Sequence, residues 1–377
     1  MKIIFCDNGM SMLLNFRINI IEHFLHKGAD VILIYPKSTH KDELIKSIPK
    51  GCRFFYVDSN PSGTNPMDDL KYLWELYKIY KKEKPDIIFH YTIKPNIYGT
   101  LAAVLAGIKH RISMVAGLGY VFNGNSISKS IARQLYKIGL RASSRVITLN
   151  TYNRELLIKK HYVKPEKMIL FEGGEGVDLS KYIFHENSFK NHHFLMIARV
   201  LYDKGYSEFV EAANIVKEKY PDVHFELLGP IDDISPMRVP RSVIENDIKS
   251  GSIEYLGVTN DVPTIIGRNG VVVVVVSSYH EGMNRSIMEA LAMGRPVICS
   301  NIPGCREMVD NGINGYTVPP HQGAALAEKV MQFIEKTEEE KVSMSKASYT
   351  KAIAQFDIKD VITKYDNILS EFGICEC

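Results

Sequence analysis

The stretch HEGMNRSIMEALAMGRPV carries two carboxylates, Glu281 and Glu289, with seven residues between them. Eight positions is a little over two turns of α-helix. Glu281 precedes Gly282 on a loop, and Glu289 lies within the helix that the loop opens, so the two cannot act as a close acid pair. The run VVVVVV at 271–276 comes just before, which makes the segment a strand, a loop and a helix in turn. A helix start gathers unpaired backbone N–H groups and the positive end of the helix dipole, and so attracts an anion such as phosphate. Glu281 is then placed to accept hydrogen bonds from sugar hydroxyls beside that phosphate, and Glu289 to bind a more distant diol such as ribose. A second strand-to-helix junction, MIARVLYDKGYSEF, supplies Arg199 and Lys204 just before Gly205. Two cations there can neutralise a diphosphate. The combination suits a nucleotide sugar lying along the helix.

Such residues need a frame, and composition limits it. The chain has 377 residues, 45% apolar and 24% charged, with a net charge of +3. That describes a globular chain long enough for two domains, each with its own core. Six cysteines (Cys6, Cys52, Cys299, Cys305, Cys375, Cys377) have no metal-ligand spacing, and they read as free thiols of a reducing compartment. The start, MKIIFCDNGM, has no secretion-signal pattern, and no apolar run reaches membrane-spanning length. A cytoplasmic location is expected.

Short β-branched runs alternate with amphipathic segments throughout. The first series is KIIFC, DVILIYP, CRFFYV, DIIFHYT, RISMVAG and RVITL; the second is HFLMIAR, HFELLG, IEYLG, VVVVVV and PVICS. Alternation of this kind predicts an α/β fold of two Rossmann-like domains with parallel sheets. Glycines 173, 174 and 176 make a hinge, so the expected domains are 1–172 and 173–356, with the final helix, about 357–377, packing back on the first. In such sheets ligands bind beyond the carboxyl ends of the strands.

Together, R-x4-K-G at 199–205, E-x7-E at 281–289, GRPV at 294–297 and IPGCREMVDNGINGY at 302–316 resemble the retaining glycosyltransferases of family 4, which have the two-domain GT-B architecture. HYTIKPNIYGTLAA at 90–103 and VAGLGYVF at 115–122 further resemble bacterial enzymes of capsule, O-antigen and lipid-linked oligosaccharide synthesis, including N-acetylgalactosaminyltransferases acting on undecaprenyl-diphosphate sugars. The resemblance implies that Arg199 and Lys204 hold the donor diphosphate, Glu281 stands beside the donor sugar and Glu289 binds the ribose. The amides of Gly282, Met283 and Asn284 would cover phosphate and sugar, the backbone at Tyr255 and Leu256 would flank the base, and Gly9 would belong to a glycine loop facing the diphosphate. A UDP-hexose or UDP-N-acetylhexosamine is the implied donor, with no metal required. The chain departs from the family in having Asn284 where many relatives have proline, no histidine in 116–120, and Glu175-Gly176-Val177-Asp178 at the hinge. His90, placed at the end of DIIFH, is the candidate histidine on the acceptor side. The alternative activity is a nucleotide-sugar 2-epimerase of the same architecture.

Other chemistry finds little footing. His192 and His193 alternate faces of a strand and cannot share a metal. Asp232 and Asp233 have no third ligand and read as turn acids, and no nucleophile elbow or P-loop is present. The 68 residues between Asp86 and Glu155 contain no carboxylate but nine lysines and arginines. Five of them, Lys129, Arg133, Lys137, Arg141 and Arg145, recur every four residues and predict a basic helix over 129–145. That stripe suits anionic lipid head groups or a diphosphate-linked lipid, and implies a peripheral place on the inner face of the membrane. A nucleic-acid partner is not expected, because stacking aromatics do not interleave with the cations.

Overall fold

The computed structural model describes residues 1–374 apart from 61, 62, 64, 119–121, 123–125 and 276–280. Parts of VAGLGYVF and of the VVVVVV-to-HEG junction, and Cys375 and Cys377, therefore lie outside the described residues. The chain divides into two compact units, Met1–Glu175 with Ile358–Cys377, and Gly176–Asp357.

The first unit has strands β1 (Lys2–Cys6), β2 (Asp30–Pro36), β3 (Arg53–Val57), β4 (Ile87–Tyr91), β5 (His110–Val115), β6 (Arg145–Thr148) and β7 (Met168–Leu170). Its helices are α1 (Met10–His26), α2 (Asp42–Ile45), α3 (Pro66–Glu83), α4 (Thr100–Leu105), α5 (Ile127–Ala142) and α6 (Thr151–Lys159). The strands form one parallel sheet in the order β3-β2-β1-β4-β5-β6-β7.

The second unit has β8 (His193–Ile197), β9 (His224–Leu228), β10 (Glu254–Gly257), β11 (Val271–Val275), β12 (Val297–Ser300) and β13 (Gly315–Val318), again all parallel, in the order β10-β9-β8-β11-β12-β13. Its helices are α7 (Tyr206–Lys219), α8 (Arg241–Lys249), α9 (Val262–Ile266), α10 (Arg285–Ala292), α11 (Gly323–Ile334) and α12 (Glu338–Gln355). The last helix, α13 (Ile358–Glu371), lies against α1, where Asp366 accepts from both Lys27 and the His23 imidazole. These are two Rossmann-like α/β domains with parallel sheets.

The valine run shows why the sheets read as unbroken apolar strands. Val272 and Val274 enter one core with Phe209, Val216, Val330 and Phe333, while Val271 and Val273 enter another with Ile287, Leu291 and Ala352. A strand covered by helices on both faces has no polar side to alternate with. The sequence pattern missed β13, which is four residues long and begins at a glycine. A side chain there has no room: a Cβ on Gly315 would lie 1.9 Å from the Val297 carbonyl oxygen on β12.

The GRPV turn has a structural reason of its own. Arg295 is wholly buried and its guanidinium donates to the carbonyls of Ile266 and Gly267, both at 2.8 Å, and of Met293 at 2.9 Å. These are the C-terminal ends of α9 and α10, where unpaired carbonyls and the negative ends of two helix dipoles meet. Burial lowers the guanidinium to about 10, which leaves it charged at neutral pH. Replacement by Leu strands those acceptors, and we expect Arg295→Leu to cost about 3 kcal/mol or more in urea denaturation. A loss below about 1 kcal/mol would show that the carbonyls find other donors.

Candidate active site

Both sheets reverse their order between neighbouring strands, β1 with β4 and β8 with β11. Connections leave such a pair in opposite directions and open a crevice at the carboxyl ends. In the second unit the chain leaving β8 carries Arg199 and a single 3-10 turn, Tyr202–Lys204. It then passes Gly205, in the left-handed region at φ +86°, before α7 starts. The chain leaving β11 reaches Glu281 and α10. Lys204 Nζ lies 2.5 Å from Glu281 Oε1, with both side chains about three-quarters buried. Arg199 is more than half exposed and its Nη1 donates to Asp232 Oδ2 at 3.0 Å. Asp232 also accepts from the amides of Ser235 and Ile234, and those bonds, the Ser235 amide foremost, hold its carboxyl below the usual range. Asp232 is thus a turn acid, and Asp233 pairs with Arg241.

The loop bearing Glu281 is clamped from the next strand connection. The Glu281 amide donates to the Pro303 carbonyl at 3.1 Å and the Asn284 amide to the Gly304 carbonyl at 2.8 Å. Gly304 has φ +86°, and a Cβ on it would stand 2.6 Å from the Glu281 carbonyl oxygen, so both the backbone conformation and the close approach call for glycine. This corrects one expectation. The Asn284 amide does not face a ligand, because Gly304 takes it, and the Asn284 side chain caps α10 by accepting from the Ile287 amide at 3.2 Å. Asn284 therefore shapes the loop and caps the helix. Gly282 is buried, Met283 packs half-buried on the α10 core, and Ser286 ties the helix start to β8 by donating to the Ile197 carbonyl.

Glu289 sits on α10 but is buried. Its Oε1 accepts from Tyr182 OH at 2.6 Å and from Arg285 Nε at 2.7 Å. Burial, and then the Glu289 charge, push the Tyr182 hydroxyl well above its ordinary value, which keeps it a donor. Arg285 is four residues before Glu289, a helical spacing readable from sequence; nothing in the sequence points to Tyr182. Tyr255 and Leu256 lie on β10, at the edge of the same sheet, where Tyr255 OH donates to the Gly229 carbonyl at 2.9 Å. Among the described residues no group of three or more His, Cys, Asp or Glu side chains is placed to hold a metal ion.

Comparison with known proteins assigns the chain. The family description "Glycosyl transferases group 1" matches residues 182–351, and "Glycosyl transferase 4-like" matches 2–150. An Escherichia coli UDP-Gal:alpha-D-GlcNAc-diphosphoundecaprenol alpha-1,3-galactosyltransferase is 30% identical across 71% of this chain and 70% of its own. This chain belongs to the group 1 glycosyltransferases. A Campylobacter jejuni N,N'-diacetylbacillosaminyl-diphospho-undecaprenol alpha-1,3-N-acetylgalactosaminyltransferase is 27% identical across 97% of each chain. Two solved structures share the GT-B fold with this glycosyltransferase. Anabaena HepE in complex with UDP-glucose has a TM-score of 0.79 at 19% identity, covering 98% of this chain and 100% of its own. Sucrose-phosphate synthase of Thermosynechococcus elongatus has 0.80 at 16%, covering 99% of each.

Within the first unit of the glycosyltransferase, Gly9 is the N-cap of α1 with extended backbone (φ −163°, ψ 138°), and a Cβ on it would meet only Met12 Cγ at 3.5 Å, an ordinary contact. The fold does not itself demand glycine there. Two residues earlier, Asp7 is buried with Oδ1 unpartnered among the described residues, and burial pushes its carboxyl up to about 7. No sequence signal singled it out.

His90 is a second correction. It is not at the strand end, since β4 continues to Tyr91, and its ring is wholly buried against Gly99. Nε2 lies 3.1 Å from Tyr80 OH and Nδ1 3.3 Å from Thr100 Oγ1, which continues through Ser113 to Ser143. A ring enclosed in this way cannot touch an acceptor. The third correction concerns the basic helix, which ends at Ala142. Ser143 is extended, Lys167 takes the Arg141 and Ser143 carbonyls that another turn would use, and Arg145 opens β6 with its guanidinium on Glu371.

Burial lowers His90 from 6.5 to about 3, so the unfolded chain takes up the proton first as the pH falls. Stability from this site is full above pH 6.5 and is lost from there down towards 3. His90→Gln should flatten that acid loss in pH-resolved denaturation and leave kcat within about threefold of the parent, whereas removing a general acid–base costs roughly 100-fold or more.

Proposed function

We propose that this glycosyltransferase moves a hexose or N-acetylhexosamine from a UDP-linked donor, with retention of anomeric configuration and without metal, onto an undecaprenyl-diphosphate-linked saccharide in surface polysaccharide synthesis. The observation that carries the reading is the Lys204–Glu281 pair at the crevice between β8 and β11, with Arg199 beside it on the same connection. Both cations rest on carboxylates that a diphosphate can replace. The printed names of the Campylobacter and Escherichia relatives support the lipid-linked acceptor, and the UDP-glucose complex of HepE supports the donor class.

Cleaving a glycosyl–phosphate bond leaves an oxocarbenium-like sugar and a diphosphate gaining negative charge. Arg199, Lys204 and the start of α10 stabilise that charge as it grows, each such donor being worth about 3 kcal/mol of barrier. The acceptor hydroxyl attacks from the face the phosphate leaves, its oxygen bonds to the anomeric carbon, and its proton passes to the departing phosphate oxygen. Retention by two displacements would need a carboxylate close to the anomeric carbon. Glu281, drawn to an ammonium 2.5 Å away, suits a hydrogen-bonding role better than that of a nucleophile. Glu289, with Tyr182 and Arg285 both on Oε1, would offer its other oxygen to the ribose. None of the relatives named above is an epimerase, and no observation favours that alternative.

Acceptors of this class are membrane lipids. Among the described residues no helix is long and apolar enough to cross a membrane, and Lys129, Arg133, Lys137 and Arg141 of α5 lie in a sequence span without carboxylates, which concentrates positive charge on that helix. A peripheral place on the cytoplasmic leaflet follows from that charge.

The test is transfer of labelled sugar from a UDP-sugar panel to a synthetic undecaprenyl-diphosphate disaccharide in detergent with excess EDTA, with the new linkage read by NMR. Retained configuration without metal is the expected result; an inverted product, or activity restored only by a divalent ion, would sink the mechanism. Lys204→Ala should lower kcat by about 100- to 1,000-fold. Gly9→Ala should leave the melting temperature unchanged and raise the donor KM several-fold; an unchanged KM would remove Gly9 from the donor site.

A further inference from the structure

The helices α3, α4 and α5 link β3 to β4, β4 to β5 and β5 to β6, all stepping the same way across the sheet, so right-handed crossovers lay them side by side on one face. They pack on one another in that order. The outward side of this layer is unusual for a water-facing surface. On α5 the outermost line is mainly apolar: Ile127, Ile131 and Ile138 are 83%, 57% and 51% exposed, Gln134 and Arg141 are the exposed polar members of the same line, and Lys129, Arg133 and Lys137 are half-buried at its flanks. The stripe expected to be cationic therefore has isoleucine at its crest. On α3 a parallel line runs through Met67, Leu70 and Trp74, each more than half exposed, and between the two helices stand Val104 and Leu105 of α4. Trp74 stacks on Tyr77 with ring centroids 4.9 Å apart, and Lys78 Nζ lies 5.9 Å from the indole.

The charges around these ridges are mostly positive. From the end of α3 to α6 the chain has no carboxylate between Asp86 and Glu155. Of the four carboxylates on α3, Asp69 and Glu83 are buried, while Asp68 and Glu75 stay at the surface near the start and middle of the helix, and Asp58 pairs with Lys71. The exposed cations Lys78, Lys81 and Lys82 continue the α3 face. A second copy of this surface would set cations against cations. An anionic bilayer complements it: apolar crests enter the acyl boundary, a tryptophan takes the interface, and long cationic side chains reach the phosphates.

We propose that the outer face of the α3–α4–α5 layer is an insertion surface for an anionic phospholipid bilayer, with the Met67–Leu70–Trp74 and Ile127–Ile131–Ile138 ridges submerged and the flanking lysines and arginines on lipid phosphate. Attachment is thus apolar as well as electrostatic. The proposal deepens the peripheral placement above and rests on it only for the choice of membrane; it can be measured without any transfer reaction.

Trp74 is the single tryptophan of the chain, so its emission reports this face alone. The full-length protein is mixed with vesicles of phosphatidylcholine containing phosphatidylglycerol. A blue shift, quenching by brominated acyl chains, and bound protein that survives ~1 M salt are the expected results, because screening at that strength leaves only the apolar contribution. The combined change Ile127→Ser, Ile131→Ser, Ile138→Ser should weaken vesicle binding by about tenfold or more. It should leave transfer to a water-soluble, short-chain diphosphate acceptor unchanged, which also shows that the variant folds. Absence of binding, binding with silent Trp74, or complete release by salt overturns the proposal, as does a vesicle-free dimer that shifts Trp74 by itself. Vesicle insertion without transfer would fault the functional reading instead, and transfer without insertion would fault this one.

Discussion

Opposite charges on Lys204 and Glu281 meet although 77 residues separate them in sequence. Their contact depends on the sheet reversing its order between β8 and β11, which brings two strand ends together and sends their connections apart. The second unit can be understood as the set of constraints that hold that junction. Gly205 turns the chain into α7 by a left-handed step, Gly304 lets the neighbouring loop press against Glu281, and Ser286 fastens α10 to the end of β8. None of these residues needs to touch a substrate for the junction to fail without it.

Beneath the junction, the packing is arranged to keep strand ends fixed rather than merely to bury area. Val271 to Val274 enter cores on both sides of the sheet, so neither helical layer can slide without disturbing β11. Arg295 joins the ends of α9 and α10, the helices on either side of that strand in sequence, through four protein carbonyls when the longer contact to His185 at 3.4 Å is included. A buried guanidinium with carbonyl partners and, among the described residues, no carboxylate keeps its charge for two helix dipoles. It is a costly group to bury, and it is tolerated because its partners would otherwise be unsatisfied.

The sequence made the architecture plain because doubly covered parallel strands are strongly apolar and short, and because loops after strands concentrate unusual residues. Arg199, Lys204, Glu281 and Glu289 could be picked out on type and spacing. What remained hidden depends on distance in space. Whether an amide is available to a ligand depends on a carbonyl many residues away, as with Asn284 and Gly304. The enclosure of His90 depends on Tyr80 and Gly99, and a histidine one residue from a strand end looks the same in sequence whether it opens to a cleft or to a core. The end of α5 escaped periodicity because the four-residue spacing of its cations continues through Arg145 after the helix has stopped. Tyr182 and Asp7 carried no pattern at all.

One feature of the chain path bears on how the molecule is made. The second unit, Gly176–Asp357, is an insertion within the first, whose helix α13 leaves the ribosome only after that insertion. Tyr365 of that helix packs on Phe89 and Phe171 and shares a hydrogen bond with Tyr91, so the earlier half of the polypeptide waits with an uncovered aromatic patch until α13 has emerged. The second unit, complete once Asp357 has emerged, can reach its native state first, reversing the usual N-to-C order of maturation. Removal of α13 would then injure the unit built from the earlier half of the chain, not the one that precedes the helix in sequence.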